Sequence, residues 1–205
     1  MNRREAIAAG AAAAALMRAP GALAQEGEAP EISDYALGPA DAPVTMIEYS
    51  SLTCPHCARF HNEVYPQLKA DYIDPGKLRF VMREVYFDRP GLWAAMLARC
   101  GGEKRYFPIV EILFQKQQQW IGGGSGQEIA ANLRRIGKVA GLSEGEIDAC
   151  FKDAAKAEAM VANFEANMTK FDVQGTPAFV IDGTLHSNMG YDRMKGLIDE
   201  ALSTS

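Results

Sequence analysis

The chain has 205 residues, with 21 Lys and Arg against 26 Asp and Glu and a formal charge of −5 at pH 7. That length suits one domain with room for an inserted subdomain and an ample core, and the acidic balance gives no support for nucleic-acid binding. Four cysteines and three histidines, placed as they are, do not supply the second C-x-x-C or spaced histidine pair of a structural zinc site.

Residues 1–24 read as an export signal that is removed and takes no part in the fold. Arg3 and Arg4 give a positive start, Ala6 to Met17 an apolar stretch, and Ala22-Leu23-Ala24 a small-x-small cleavage site before Gln25. Arg3-Arg4 fits either an ordinary positive start or a twin-arginine signal, and Glu5 weakens the second reading. Both routes lead to an oxidising compartment where disulfides persist, and a bacterial periplasm is the economical choice.

Residues 25–43, rich in Glu, Pro, Ala and Gly, read as a flexible lead-in. Val44–Ser50 is an apolar run of strand type, and Cys54–Tyr72 a helix kinked at Pro66. Asp74-Pro75-Gly76 is a turn. Leu78–Val85, with Leu78, Phe80 and Met82 alternating, is a second buried strand parallel to the first. From Gly91 to about Asp172 the chain turns helical. Leu92–Cys100 ends at Gly101-Gly102; Glu103–Gln119 and Gln127–Ala140 have helical apolar spacing; Ser143 and Glu146 form a capping box. Asp153–Phe171 is a long alanine-rich helix. Ala178–Ile181 and Leu185–Met189 flank the hairpin turn Asp182-Gly183, and Tyr191–Leu202 is a closing helix. The order β-α-β, helical block, β-β-α predicts an α/β thioredoxin fold over 44–90 and 172–205, with 91–171 as an inserted helical cap.

Cys54-Pro55-His56-Cys57 carries the chemistry. A cysteine at a helix start meets unpaired N–H groups and the positive end of the helix dipole, which favour its thiolate. Positions three apart share one helical face, so the two sulfurs can reach bonding distance. Pro55 fits the first turn, where its missing N–H costs nothing. His61 lies near enough to His56 to suggest a metal, but His56 sits inside the turn with its ring directed away from the sulfurs, and no metal or cofactor is assigned. Cys100 and Cys150 remain. An even count in an exported chain suggests that they pair, as a staple for the cap or as a second redox pair regulating Cys54, with two buried free thiols as the remaining alternative.

With these residues the chain resembles the DsbA-like thiol–disulfide oxidoreductases. The resemblance rests on Gly38-Pro39-Ala40-Asp41-Ala42-Pro43-Val44-Thr45, on Cys54-Pro55-His56-Cys57 and on Gly175-Thr176-Pro177-Ala178-Phe179, and it covers nearly all of 36–202. It implies that Cys54 is the nucleophile and Cys57 the resolving partner, with His56 tuning the Cys54 pKa. Pro177 would be a cis-proline facing the pair, with Thr176 presenting its backbone to substrate. Glu48, six residues before Cys54, matches a buried acid that relays the Cys57 proton. Its flanks Met46, Ile47 and Tyr49 agree with a buried strand.

The implied activity is oxidation of reduced, unfolded exported proteins by a monomer that a DsbB-like membrane partner reoxidises. Thr176, where oxidases of this kind often carry valine, keeps open an isomerase or reductase of the DsbC or DsbG type. Residues 25–43 are too short for the dimerisation domain of those isomerases. A rival of another class is a non-redox periplasmic chaperone that holds clients in a groove beside the cap.

Overall fold

The computed structural model describes residues 30–122 and 124–204, so the expected signal at 1–24 lies outside the described residues. Strands β1 (Ala36–Leu37), β2 (Val44–Ser50), β3 (Leu78–Glu84), β4 (Ala178–Ile181) and β5 (Thr184–Ser187) form one sheet in the order β1-β3-β2-β4-β5. β2 and β3 run parallel, with Val44 opposite Leu78 and Ser50 opposite Glu84, and the other pairs are antiparallel. A parallel pair needs a long crossover, and here the helical run that starts at the C-x-x-C supplies it.

The pleat of β2 sends Val44, Met46, Glu48 and Ser50 to one face and Thr45, Ile47 and Tyr49 to the other. Val44 and Met46 join the main core with Leu68, Phe80 and Phe179. Tyr49 joins a smaller cluster with Val85, Val173 and Val180, against Phe164, Met168 and Phe171. Glu48 is thereby carried into the interior with no exposed surface.

The helical run comprises α1 (Pro55–Arg59) and α2 (Tyr65–Leu68), separated and followed by two widened turns, Phe60–Val64 and Lys69–Ile73. In the first, the Tyr65 N–H reaches back five residues to the Phe60 carbonyl. Pro66, at the start of α2, has no N–H to give and its ring would crowd the carbonyl four residues before it. The expected kink therefore takes the form of a widened turn.

Helices α3 (Arg89–Cys100), α4 (Glu103–Gln115), α5 (Gln117–Ile121), α6 (Gly126–Val139), α7 (Glu144–Lys152) and α8 (Ala154–Phe171) follow β3, and α9 (Tyr191–Thr204) follows β5. Helix α3 packs against α4, α6 and α7. Capping boxes open α6 at Ser125 and Glu128 as well as α7 at Ser143 and Glu146. Gly102, with φ of 66°, makes the turn between α3 and α4 that a side chain would strain. The architecture is the expected one, an α/β sheet with an inserted helical block.

Two expectations are corrected. The helix expected over Glu103–Gln119 breaks at Lys116, because the Leu113 carbonyl accepts the Trp120 indole N–H at 2.8 Å instead of continuing the helical ladder. The lead-in is not flexible throughout. Ala36 and Leu37 pair with Val81 and Phe80, the Asp34 carboxylate takes two N–H groups of Arg83, and the Ser33 carbonyl accepts from Arg99 at 3.0 Å. This segment covers an edge of β3 that would otherwise stay unpaired.

Cys100, at the end of α3, is disulfide-bonded to Cys150 in α7 across a separation of 50 residues. Closing a loop of that size lowers the entropy of the unfolded chain by an amount worth about 4 kcal/mol. Replacing both residues by alanine should lower the stability measured by urea unfolding by about 2–4 kcal/mol. An unchanged midpoint would remove the staple role.

Candidate active site

Cys54 is the N-cap of α1 and Pro55 its first residue, so the chain enters the helix with the Cys54 sulfur at the open N-terminal turn. The loop before it is pinned from the inserted helices. The buried Gln117 amide at the start of α5 donates to the Leu52 and Cys54 carbonyls at 2.9 and 3.0 Å. The Thr53 hydroxyl donates to Asp88 at 3.0 Å, and Asp88 also caps α3 through the Gly91 N–H at 2.7 Å. Neither Gln117 nor Asp88 was expected from the sequence. An aspartate before Pro90 and Gly91 is a recognisable cap, but its bond to Thr53 and the reach of Gln117 depend on tertiary placement.

The Thr176–Pro177 peptide bond is cis. The Thr176 carbonyl lies 3.6 Å from the Cys54 sulfur, which donates to it when protonated. Both cysteines are free thiols here, Cys54 partly exposed and Cys57 buried. Cys54 is lowered from 9.0 to about 5, first because the Cys57 S–H donates to its thiolate; burial opposes, and the Thr176 side chain and the Cys57 and His56 backbone N–H groups add to the lowering. Cys57 is held far above the ordinary thiol range, chiefly by burial, then by its bond to Cys54 and by the nearby Glu48 charge, against a smaller lowering by Ser50 and Thr176. One sulfur is thus poised as an anion and its neighbour as a neutral donor.

The remaining expected site residues divide. Glu48 is fully buried near Cys57, and its Oε2 lies 2.8 Å from His61 Nε2, a residue whose sequence position suggests only a metal ligand. His61 is four residues after Cys57, the spacing that shares a helical face. His56 is exposed, and what it brings to Cys54 is its backbone N–H rather than the expected imidazole. Beside it, an open pocket of about 350 Å³ is lined by His56, Arg59, Phe60, Asn188 and Met189.

Below pH 5 the Cys54 thiol is protonated in folded and unfolded chains alike. Between about 5 and 9 it is ionised only when folded, while Cys57 stays neutral in both. The thermal stability of the reduced protein should therefore rise relative to the oxidised protein as pH increases from 5 to 9, and lose that gain as pH falls through 5. Parallel melting curves of the two forms check this; a constant difference across the range contradicts it.

The thioredoxin family model matches residues 31–200. A Rickettsia bellii protein, named provisionally as a protein-disulfide oxidoreductase, is 34% identical over 176 residues, covering 84% of this chain. The chain spans 66% of that protein's length. The crystal structure of Wolbachia pipientis alpha-DsbA1 superposes with a TM-score of 0.76 at 29% identity, covering 85% of this chain and 94% of that one. That of a protein-disulfide isomerase from Novosphingobium aromaticivorans gives 0.75 at 25% identity, covering 82% and 97%. The chain belongs to the thioredoxin family and is closely related to its DsbA-like members with an inserted helical subdomain.

Proposed function

We propose that the chain is a thiol–disulfide oxidase that donates the Cys54–Cys57 disulfide to reduced exported proteins in the periplasm. The observation that carries this reading is the asymmetry of the pair: a Cys54 sulfur that favours the anion beside a buried Cys57 that does not. Stabilising the reduced thiolate disfavours the disulfide relative to the dithiol, which makes the pair an oxidant.

In the forward reaction a substrate thiolate attacks the Cys54 sulfur, the Cys54–Cys57 bond breaks, and Cys57 leaves with the electron pair and takes a proton. A second substrate thiolate then attacks the substrate sulfur of the mixed disulfide. Cys54 departs as a thiolate, the substrate is oxidised by two electrons and the protein is reduced by two. A DsbB-like membrane partner would restore the disulfide. Substrate backbone pairing with Thr176, across from Cys54, supports the attack geometry. The Cys100–Cys150 bond serves as a staple for the helical cap, being set apart from the catalytic pair in α3 and α7.

One observation favours a second reading, isomerase or reductase. Threonine rather than valine stands before the cis-proline, at Thr176, and the chain is similar to a solved protein-disulfide isomerase from Novosphingobium aromaticivorans. The equilibrium potential against glutathione separates the two. A value near about −120 mV, as in DsbA, supports the oxidase; one near about −270 mV, as in thioredoxin, supports a reductase. Cys54→Ser should abolish disulfide donation to a reduced test protein. Cys57→Ser should accumulate mixed disulfides with it. Full biological activity of Cys54→Ser would favour the chaperone instead.

A further inference from the structure

In the inserted block, helices α4, α5 and α6 meet around a pocket of about 180 Å³. None of its lining residues belongs to the thiol site. Trp120 and Ile136 are buried at its wall, with Ile112 partly buried beside them. Val139, also in the lining, is 73% exposed, more than any other large apolar side chain among the described residues. Hydrogen bonds hold the shape. The Trp120 indole N–H donates to the Leu113 carbonyl at 2.8 Å. The Asn132 amide of α6 donates to the Gln119 and Trp120 carbonyls of α5 at 3.4 Å each. Walls fixed beforehand lower the cost of taking an occupant.

Two cations, Lys116 and Arg135, also line the pocket, and no carboxylate among the described residues does. Their neighbours on α6 are paired, Arg134 with Asp148 and Lys138 with Glu144. The side chains of Lys116 and Arg135 have no ion-pair or hydrogen-bond partner among the described residues. The chain as a whole carries −5, so a wholly cationic rim departs from its average charge and favours an anion there. An apolar wall beside that rim suits a ligand with a negative head and an apolar body. At roughly 30 Å³ for each water-sized group, the cavity takes about six such groups, the bulk of a short alkyl chain. A carboxylate head accepts from an Arg fork and from a Lys ammonium alike.

We propose that this pocket is a binding site for a small apolar monocarboxylate, with the alkyl chain against Trp120, Ile136 and Val139 and the carboxylate on Lys116 and Arg135. The site is separate from Cys54 and Cys57, and it stands whether or not that pair oxidises exported proteins. Both parts of the ligand are needed. The alkyl chain covers apolar surface that the fold leaves to water, and the head supplies the charge that the two cations lack.

The test is equilibrium dialysis of radiolabelled octanoate against the full oxidised chain at low ionic strength. One equivalent should bind, with a Kd of roughly 0.1–1 mM for a ligand of this size. Hexanoate should compete about fifteenfold less well, since each buried methylene is worth about fourfold. Octanol and octylamine should compete about tenfold less well or worse. Lys116→Gln combined with Arg135→Gln, both at exposed positions, should weaken octanoate about tenfold while the melting temperature stays at that of the parent. Should that double variant not fold, Val139→Asp, which sets a like charge at the exposed rim, should weaken octanoate in the same way. Trp93→Phe leaves Trp120 as the one tryptophan of the chain, and its fluorescence should change along the same binding curve. Octanol binding as tightly as octanoate overturns the site, as does unchanged affinity in a folded rim variant. So does an unmoved Trp120 signal, or the lack of saturable binding at concentrations well above the expected Kd.

Discussion

The hydrogen bond from the Cys57 thiol to the Cys54 thiolate organises the site. A single donor lowers one sulfur and raises the other, so the two pKa values are pushed apart by the same contact. Backbone N–H groups at the start of α1 and the Thr176 side chain add to the lowering, and burial sets which sulfur remains neutral. Because both residues sit on one helical turn, the asymmetry follows from the direction in which the helix enters the core. Cys54, at the N-cap, is partly exposed, and Cys57, three residues on, is buried toward Glu48 and Ser50.

The inserted helices act on this arrangement at a distance in sequence. Gln117 and Asp88 hold the loop that delivers Cys54 to the helix, from α5 and from the cap of α3. The same α3 carries Arg99, whose guanidinium is clamped by both oxygens of Glu84 at 2.7 Å, with Tyr106 donating to that carboxylate. Glu84 is the β3 residue opposite Ser50 of β2. A buried, fully hydrogen-bonded charge pair is costly to break by removing one partner, so it ties the insertion to the sheet just where β2 leads into the active-site loop. The Cys100–Cys150 bond then joins α3 to α7.

Much of this was legible in the sequence because the signals are local. The C-x-x-C at a strand–helix junction, the capping box at Ser143, the turn at Asp182-Gly183 and the apolar runs of β2 and β3 each depend on a few adjacent residues. Resemblance, rather than periodicity, pointed to Glu48 and to the cis-proline. What stayed hidden depends on residues far apart in the chain. His61 is a buried partner only because β2 carries Glu48 to the same interior face. Ala36–Leu37 is too short to show a strand period, and its pairing comes from the free edge of β3. The break at Lys116 depends on one indole N–H returning to Leu113. The imidazole of His56, a natural candidate for tuning, turns out to be exposed while its amide reaches the sulfur.

The account depends most on Cys54 being an anion at neutral pH. Thiolate absorbance near 240 nm, followed against pH in the reduced chain with a Cys54→Ser control, measures this directly. The account predicts an ionisation centred near pH 5 that is lost in the control. A single transition near pH 9, the ordinary thiol value, would contradict it.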